Sequence, residues 1–403
     1  MNKLLEKLLI EAENPELSRW KNLLVHCALL HQLSIMPARG GVPYEMETLG
    51  PGYFFGPAFS HWDLTFALLD SIDVYPEHTE RQIENMLHFQ REDGFLRGAV
   101  FFRTPDGSMI PPSETQGFPP MWVLAVDRHR DATGSLKLVQ RVIEPLLRQI
   151  SWFETNRRAD DGGFFYADVL NCKWESGIDD SVRVKVCQDR GRFSCVDASS
   201  HVRMLYAHAA EYLAQLGKPN AMYLDKCAEL DDYIQNNLFV KETGFFHDRH
   251  LIERGLTYCA LTGTAPLLCG AATKEQQQSV IDGSLLNEKR FFTPHPLPFI
   301  AADAPGFELR MWRGGSWNSH TFLTSLACSM CGRNDAAHKI TEKALEATGK
   351  QLIRSGAVWE FYHPFLESQL EMYRKDAYRY PCREYLGHNP LFALAKLWLN
   401  TKA

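Results

Sequence analysis

Apolar residues recur at helical spacing along nearly the whole chain, and sustained strand alternation is hard to find. Trp20, Leu23, Leu24, Cys27 and Leu30 make one stripe. Val139, Ile143, Leu146, Leu147 and Ile150 make another, and Met204, Leu205, His208, Tyr212 and Leu213 a third. The same pattern predicts helices over 62–74, 79–90, 120–129, 222–238, 274–284, 317–332, 337–354 and 388–400. The predicted class is all-α.

Between these helices an acid and a glycine precede aromatics three times, at Glu92-Asp93-Gly94-Phe95, Asp161-Gly162-Gly163-Phe164-Phe165 and Glu242-Thr243-Gly244-Phe245-Phe246. Each loop by itself reads as a helix stop, with glycine at the C′ position and a phenylalanine folded back on the helix. Together they suggest a ring in which successive hairpins return a loop to one rim, their unequal spacing excluding a short solenoid. About a dozen helices in 403 residues make six hairpins, an (α/α)6 toroid. No linker-like stretch divides the chain, so residues 1–403 are expected to form a single domain.

The chain is 45% hydrophobic and 23% charged, enough to bury a large core. A net charge of -6 and the lack of a basic run give no footprint for nucleic acid or an anionic membrane. Glu6, Glu11 and Glu13 interrupt the N-terminal leucines, which therefore read as an amphipathic helix rather than a signal segment. A cytoplasmic protein is expected, and its oligomeric state is left open. Ten cysteines are scattered, with a lone Cys328-x-x-Cys331 inside a helical pattern. Buried free thiols are expected there, with no metal and no organic cofactor.

The chemistry concentrates at Trp174-Glu175-Ser176-Gly177-Ile178-Asp179-Asp180-Ser181-Val182-Arg183, which packs three acids, an aromatic and a glycine into ten residues. Alone, Asp179-Asp180-Ser181 would read as a turn or helix cap. Trp174 adds an apolar wall and Gly177 permits close approach, while Glu175, Asp179 and Asp180 would oppose joint ionisation if buried, raising one pKa. A second acid stands between aromatics at Trp359-Glu360-Phe361-Tyr362-His363-Pro364. Two carboxylates in aromatic settings suit an acid–base pair acting on a glycoside.

Three more segments resemble sugar subsites. Tyr53-Phe54-Phe55 precedes Gly56-Pro57-Ala58-Phe59-Ser60-His61-Trp62-Asp63, where stacking faces meet an acceptor for hydroxyls. Gln116-Gly117-Phe118-Pro119-Pro120 places an amide before a helix. Met311-Trp312-Arg313-Gly314-Gly315-Ser316-Trp317 opens another helix, with Arg313 able to buttress a carboxylate or stack on an indole.

In this order the set resembles the inverting glycosidases of glycoside hydrolase family 63 and the related trehalases, from about residue 50 to 365. The matching pieces are Trp62-Asp63, Gln116 to Pro120, Ser176 to Arg183, Trp312 to Trp317 and Glu360 to Pro364. The resemblance implies the same toroid, Asp179 as general acid and Glu360 as general base. Glu367 is held in reserve for the base, and Tyr53, Trp62, Asp63, Gln116, Trp174, Gly177, Trp312, Arg313 and Trp317 are expected around the sugar. Val182, Met311, Gly315 and Phe365-Leu366-Glu367 depart from the family pattern and blur the substrate. A short α-glucoside is the first expectation, with α-mannosyl compounds and glycosylglycerates beside it. Arg97 or Arg103 could serve an acidic aglycone. Two rival readings are a cofactor-free sugar epimerase using His201, His250 or His388, and a carbohydrate-binding toroid without chemistry.

Overall fold

The computed structural model describes residues 3–102, 114, 116–171, 174–186, 191–256, 258–375 and 379–402. Within them the chain is mainly helical, and its helices form two concentric layers. The inner layer contains His61–Ser71, Trp122–Thr133, Val196–Gln215, Ala265–Leu268, Asn318–Met330 and Leu391–Asn400, in ring order. The outer layer contains Lys21–Ser34, Pro76–His88, Lys137–Asn156, Ala221–Asn237, Lys274–Val280 and Asn334–Ser355. The final inner helix closes the ring on the first, the Ala393 N–H donating to Asp70 Oδ1 at 2.8 Å.

The layer of each helix follows from its pattern. All of His61–Ser71 is buried, because neighbours surround it. Asn334–Ser355 buries Ala336, Ala337, Ile340, Thr341, Ala344, Leu345, Thr348 and Gln351, the stripe of a helix with one face in solvent. Lys3–Ala12 packs outside the ring against Lys21–Ser34, burying Leu4, Leu8 and Ala12.

Predicted and observed helices agree to within a few residues at most ends, and the all-α toroid is the observed fold. The acid–glycine–aromatic loops differ from expectation. Pro76–His88 ends well before Gly94, so that glycine is not a helix C′ residue. Each loop instead closes a small hairpin, pairing Gln90 with Leu96, Arg158 with Phe164 and Phe239–Val240 with Phe245–Phe246. A positive φ is required at each turn, +94° at Gly94, +106° at Gly162 and +62° at Gly244.

Cys328 is a buried free thiol and Cys331 a partly buried one. Cys172, Cys187 and Arg103 lie outside the described residues. No described helix is long and apolar enough to cross a membrane.

Candidate active site

The inner helices share a polarity. The first turn of His61–Ser71 brings Trp62 and Asp63 to a cavity of about 760 Å³, Trp317 caps Asn318–Met330 beside it, and His388 precedes Leu391–Asn400. Positive helix ends therefore gather at one rim, a setting that favours carboxylates.

Asp179 and Glu360 both line this cavity, together with Tyr53, Trp62, Asp63, Gln116, Trp174, Gly177, Trp312 and Trp317. Phe55, Phe101, Phe118 and Tyr385 complete much of its wall. The stacking surface is ordered in depth. Trp312 lies parallel to Trp317 at 3.5 Å and to Trp62 at 6.2 Å, so Trp317 backs its neighbour and has its face covered. His388 meets Trp62, Trp312 and Trp317 edge-on.

Gly177 explains why the signature carries no side chain there. Its φ is +73°, and a Cβ would fall 1.1 Å from Cζ3 of Trp62. The loop is fixed from behind. Glu175 receives two hydrogen bonds from Arg157, at 2.7 and 2.8 Å, and one from the Ala167 N–H at 2.5 Å. Asp168 accepts from the Ser176 N–H at 3.0 Å, and burial pushes its pKa up to about 7.

The three acids of the signature each meet a cation, which the sequence did not suggest. Glu175 is paired with Arg157, Asp180 with Arg310 and Arg313, and Asp179 with Lys375. Each acid thus has a cation of its own, which offsets the crowding. Asp180 is the acid whose pKa rises, mainly by burial and with the neighbouring Asp179 charge adding to it, against the pull of its two arginines. Arg183 spans Asp197 and Asp248, and Asp248 also accepts the Val196 N–H at 2.8 Å. The signature thus ties the inner 196–215 helix to the Asp179 loop.

Arg313 does not line the cavity, contrary to its expected substrate-binding place. It donates to Asp180 O at 2.9 Å and to Glu308 at 2.8 Å, buttressing the loop instead. Glu367 is also elsewhere, exposed near Lys350 and Arg354. Arg97 bonds the Phe89 carbonyl and Glu114 rather than facing the cavity.

Asp179 accepts from Trp312 Nε1 at 3.2 Å and contacts Lys375 Nζ. Glu360 receives Arg374 Nη1 on both oxygens, and the Cys382 N–H at 3.1 Å. Asp63 accepts from Tyr385 OH at 2.8 Å, while burial raises its pKa to about 6. Arg374, Lys375 and Tyr385 are site residues that the sequence motifs do not reveal. Their only signal is an Arg-Lys pair shortly after the Glu360 motif.

Of the three histidines considered for epimerisation, His388 lines the cavity, with burial holding its pKa well below the usual range. His201 faces an adjacent small void, where Nδ1 meets Tyr166 OH at 2.8 Å and burial lowers its pKa to about 3. His250 packs on Phe193. They do not form a pair across the cavity. Among the described residues, Cys27, His31 and Asp70, and Cys195, Asp197 and Asp248, group donors of the kind metals take. Neither group lines the cavity, and Arg183 already occupies the second.

Two carboxylates and a layered tryptophan wall at one rim of a helical double ring have the layout of a carbohydrate-cleaving enzyme. Residues 56–379 match the family model of the mannosylglycerate hydrolase MGH1-like glycoside hydrolase domain, and the chain belongs to that family. It is a glycoside hydrolase. No curated protein sequence matches the chain.

Solved structures support the fold. A family 63 mannosylglycerate hydrolase from Thermus thermophilus, in complex with glucose, superposes with a TM-score of 0.68 at 17% identity, covering 93% of this chain and 99% of that one. The same enzyme with Tris and D-glycerate gives 0.70 at 16%, covering 93% and 98%. Neutral trehalase from Saccharomyces cerevisiae gives 0.67 at 13%, covering 92% and 77%.

Proposed function

We propose that the protein hydrolyses a small α-glycoside with inversion, Asp179 acting as general acid and Glu360 as general base. One observation carries the reading: both carboxylates face the same tryptophan-walled cavity, each held by a different cation. In the reaction Asp179 protonates the glycosidic oxygen as the C1–O bond breaks. Glu360 takes a proton from the water whose oxygen bonds to C1 from the opposite face. Arg374 fixes the position of the Glu360 carboxylate by contacting both of its oxygens. Trp62 and Trp312 offer ring faces to the sugar, and Asp63 accepts from its hydroxyls.

The Thermus thermophilus relative is a mannosylglycerate hydrolase, which puts α-mannosyl and α-glucosyl glycerates first among candidates. Lys375 and Arg374 at the cavity support an acidic group better than a second neutral sugar. A panel of α-linked disaccharides, glycosylglycerates and glycosylglycerols, assayed for released sugar, tests the reading. Release that disappears in Asp179→Asn and Glu360→Gln supports it. Release that survives in either variant removes that residue from its role.

A further inference from the structure

The two catalytic carboxylates are held by cations of unequal mobility. Arg374 and Glu360 are each only 3% exposed, and Arg374 also lies over Phe54 and Phe55 and touches Cys382 Sγ at 3.2 Å. That cation is built into the wall. Lys375 is 37% exposed and, apart from Asp179, stands over the Trp174 ring at 5.4 Å. A flexible four-carbon stem can carry its ammonium elsewhere.

The inequality matters because the two acids need opposite protonation. A base has to receive a proton, so a guanidinium fixed on Glu360 does not have to move away. A general acid must carry a proton when the glycosidic oxygen arrives, and an ammonium in contact favours the ionised form. Lys375 covers Oδ2 of Asp179, the oxygen that Trp312 Nε1 leaves open. The acid stands beside the bond to the aglycone, so an anion on the aglycone's first carbons would enter the territory Lys375 already occupies.

We infer that Lys375 is the specificity residue for an acidic aglycone: it transfers from Asp179 to the substrate carboxylate, and the transfer readies Asp179 to be protonated. This rests on the acid role proposed for Asp179. On binding, the ammonium leaves Asp179 and a negative charge approaches it, and both changes favour taking a proton from solvent. That proton goes to the leaving oxygen as C1–O breaks, while the attacking water's proton goes to Glu360. A neutral aglycone offers Lys375 no new partner and leaves the Asp179 ion pair in place.

Two measurements test this with the full-length protein. The first compares kcat/KM for an α-glycoside of glycerate with that for the same sugar on glycerol, in wild type, Lys375→Met and Lys375→Arg. Wild type should prefer the acid by about 100-fold, the scale of a charged hydrogen bond made or lost. Lys375→Met should bring the ratio near unity, falling on the acid and rising on the neutral substrate, whereas Lys375→Arg should restore much of the preference. The second is calorimetry of D-glycerate binding in buffers of different ionisation enthalpy. Wild type should take up about one proton, with uptake lost in Asp179→Asn and affinity lowered about 10-fold or more in Lys375→Met. A ratio or glycerate affinity that Lys375→Met leaves unchanged overturns the inference, as does wild-type protein that fails to bind glycerate. Lys375-dependent binding and proton uptake without turnover would preserve it and overturn the hydrolytic role of Asp179.

Discussion

Among the described residues, a second large cavity stands apart from the tryptophan-walled one, and the two differ in their lining. The second, about 460 Å³, is lined by Leu69, Leu124, Phe322, Leu326 and Leu397, all on inner helices. Its charges are closed pairs: Asp73 with Arg128 and Lys396, Asp127 with His208 and Tyr212, and Arg203 with Asp231. It contributes no tryptophan face. The N-terminal rim instead sets Asp179, Glu360 and Asp63 among indoles and beside positive helix ends. The carboxylates proposed for catalysis thus stand on loops that enter the N-terminal rim.

The sharpest way to break this contrast is to neutralise an acid in each cavity. Asp179→Asn or Glu360→Gln should lower kcat by about 10³-fold or more with the melting temperature nearly unchanged, as removal of a general acid or base does. Asp127→Asn in the other cavity should leave kcat intact and cost about 1–2 kcal/mol in denaturant unfolding, by weakening its bonds to His208 and Tyr212. An activity loss from Asp127→Asn alone would dissolve the division.

Gly177→Ala comes next. A methyl group 1.1 Å from a Trp62 atom must displace the indole or the loop, so kcat/KM should fall about 100-fold, the cost of roughly 1 Å of misplacement at a reacting centre. Steady-state kinetics with a folded, thermally characterised variant checks it.

Asp168 predicts a subtler effect on stability. Burial raises its folded pKa to about 7 from an ordinary 3.8, so the native state binds the extra proton. Its stabilising contribution is full below about pH 4 and is lost as pH rises through about 7, on the order of 1.4 kcal/mol for each pH unit crossed in that window. Urea unfolding of Asp168→Asn should show a flatter decline over the same window than wild type. The smallest effect is expected at the exposed Arg333–Asp335 pair, where Arg333→Ala should cost under about 1 kcal/mol.

The helical period exposed the ring because apolar residues recur at that spacing in outer helices such as Asn334–Ser355 and in inner helices such as Val196–Gln215 alike. Trp62, Asp63, Trp312, Asp179 and Glu360 were visible because their types and neighbours advertise chemistry. Other features depended on contacts between distant segments. Lys375 reaches Asp179 across 196 residues, which no local pattern encodes. The same blindness hid the separate cations of Glu175, Asp179 and Asp180, since closeness in sequence shows the repulsion but not the three-dimensional pairing that offsets it. Glu360 and Glu367 stand seven positions apart and differ only in which one the fold turns inward.

Proton NMR of the first-formed sugar tests the central claim most directly. If Asp179 and Glu360 act from opposite faces on an α-glycoside, the β-anomer should appear first and mutarotate later. Initial release of the α-anomer would contradict Glu360 as the base that activates water.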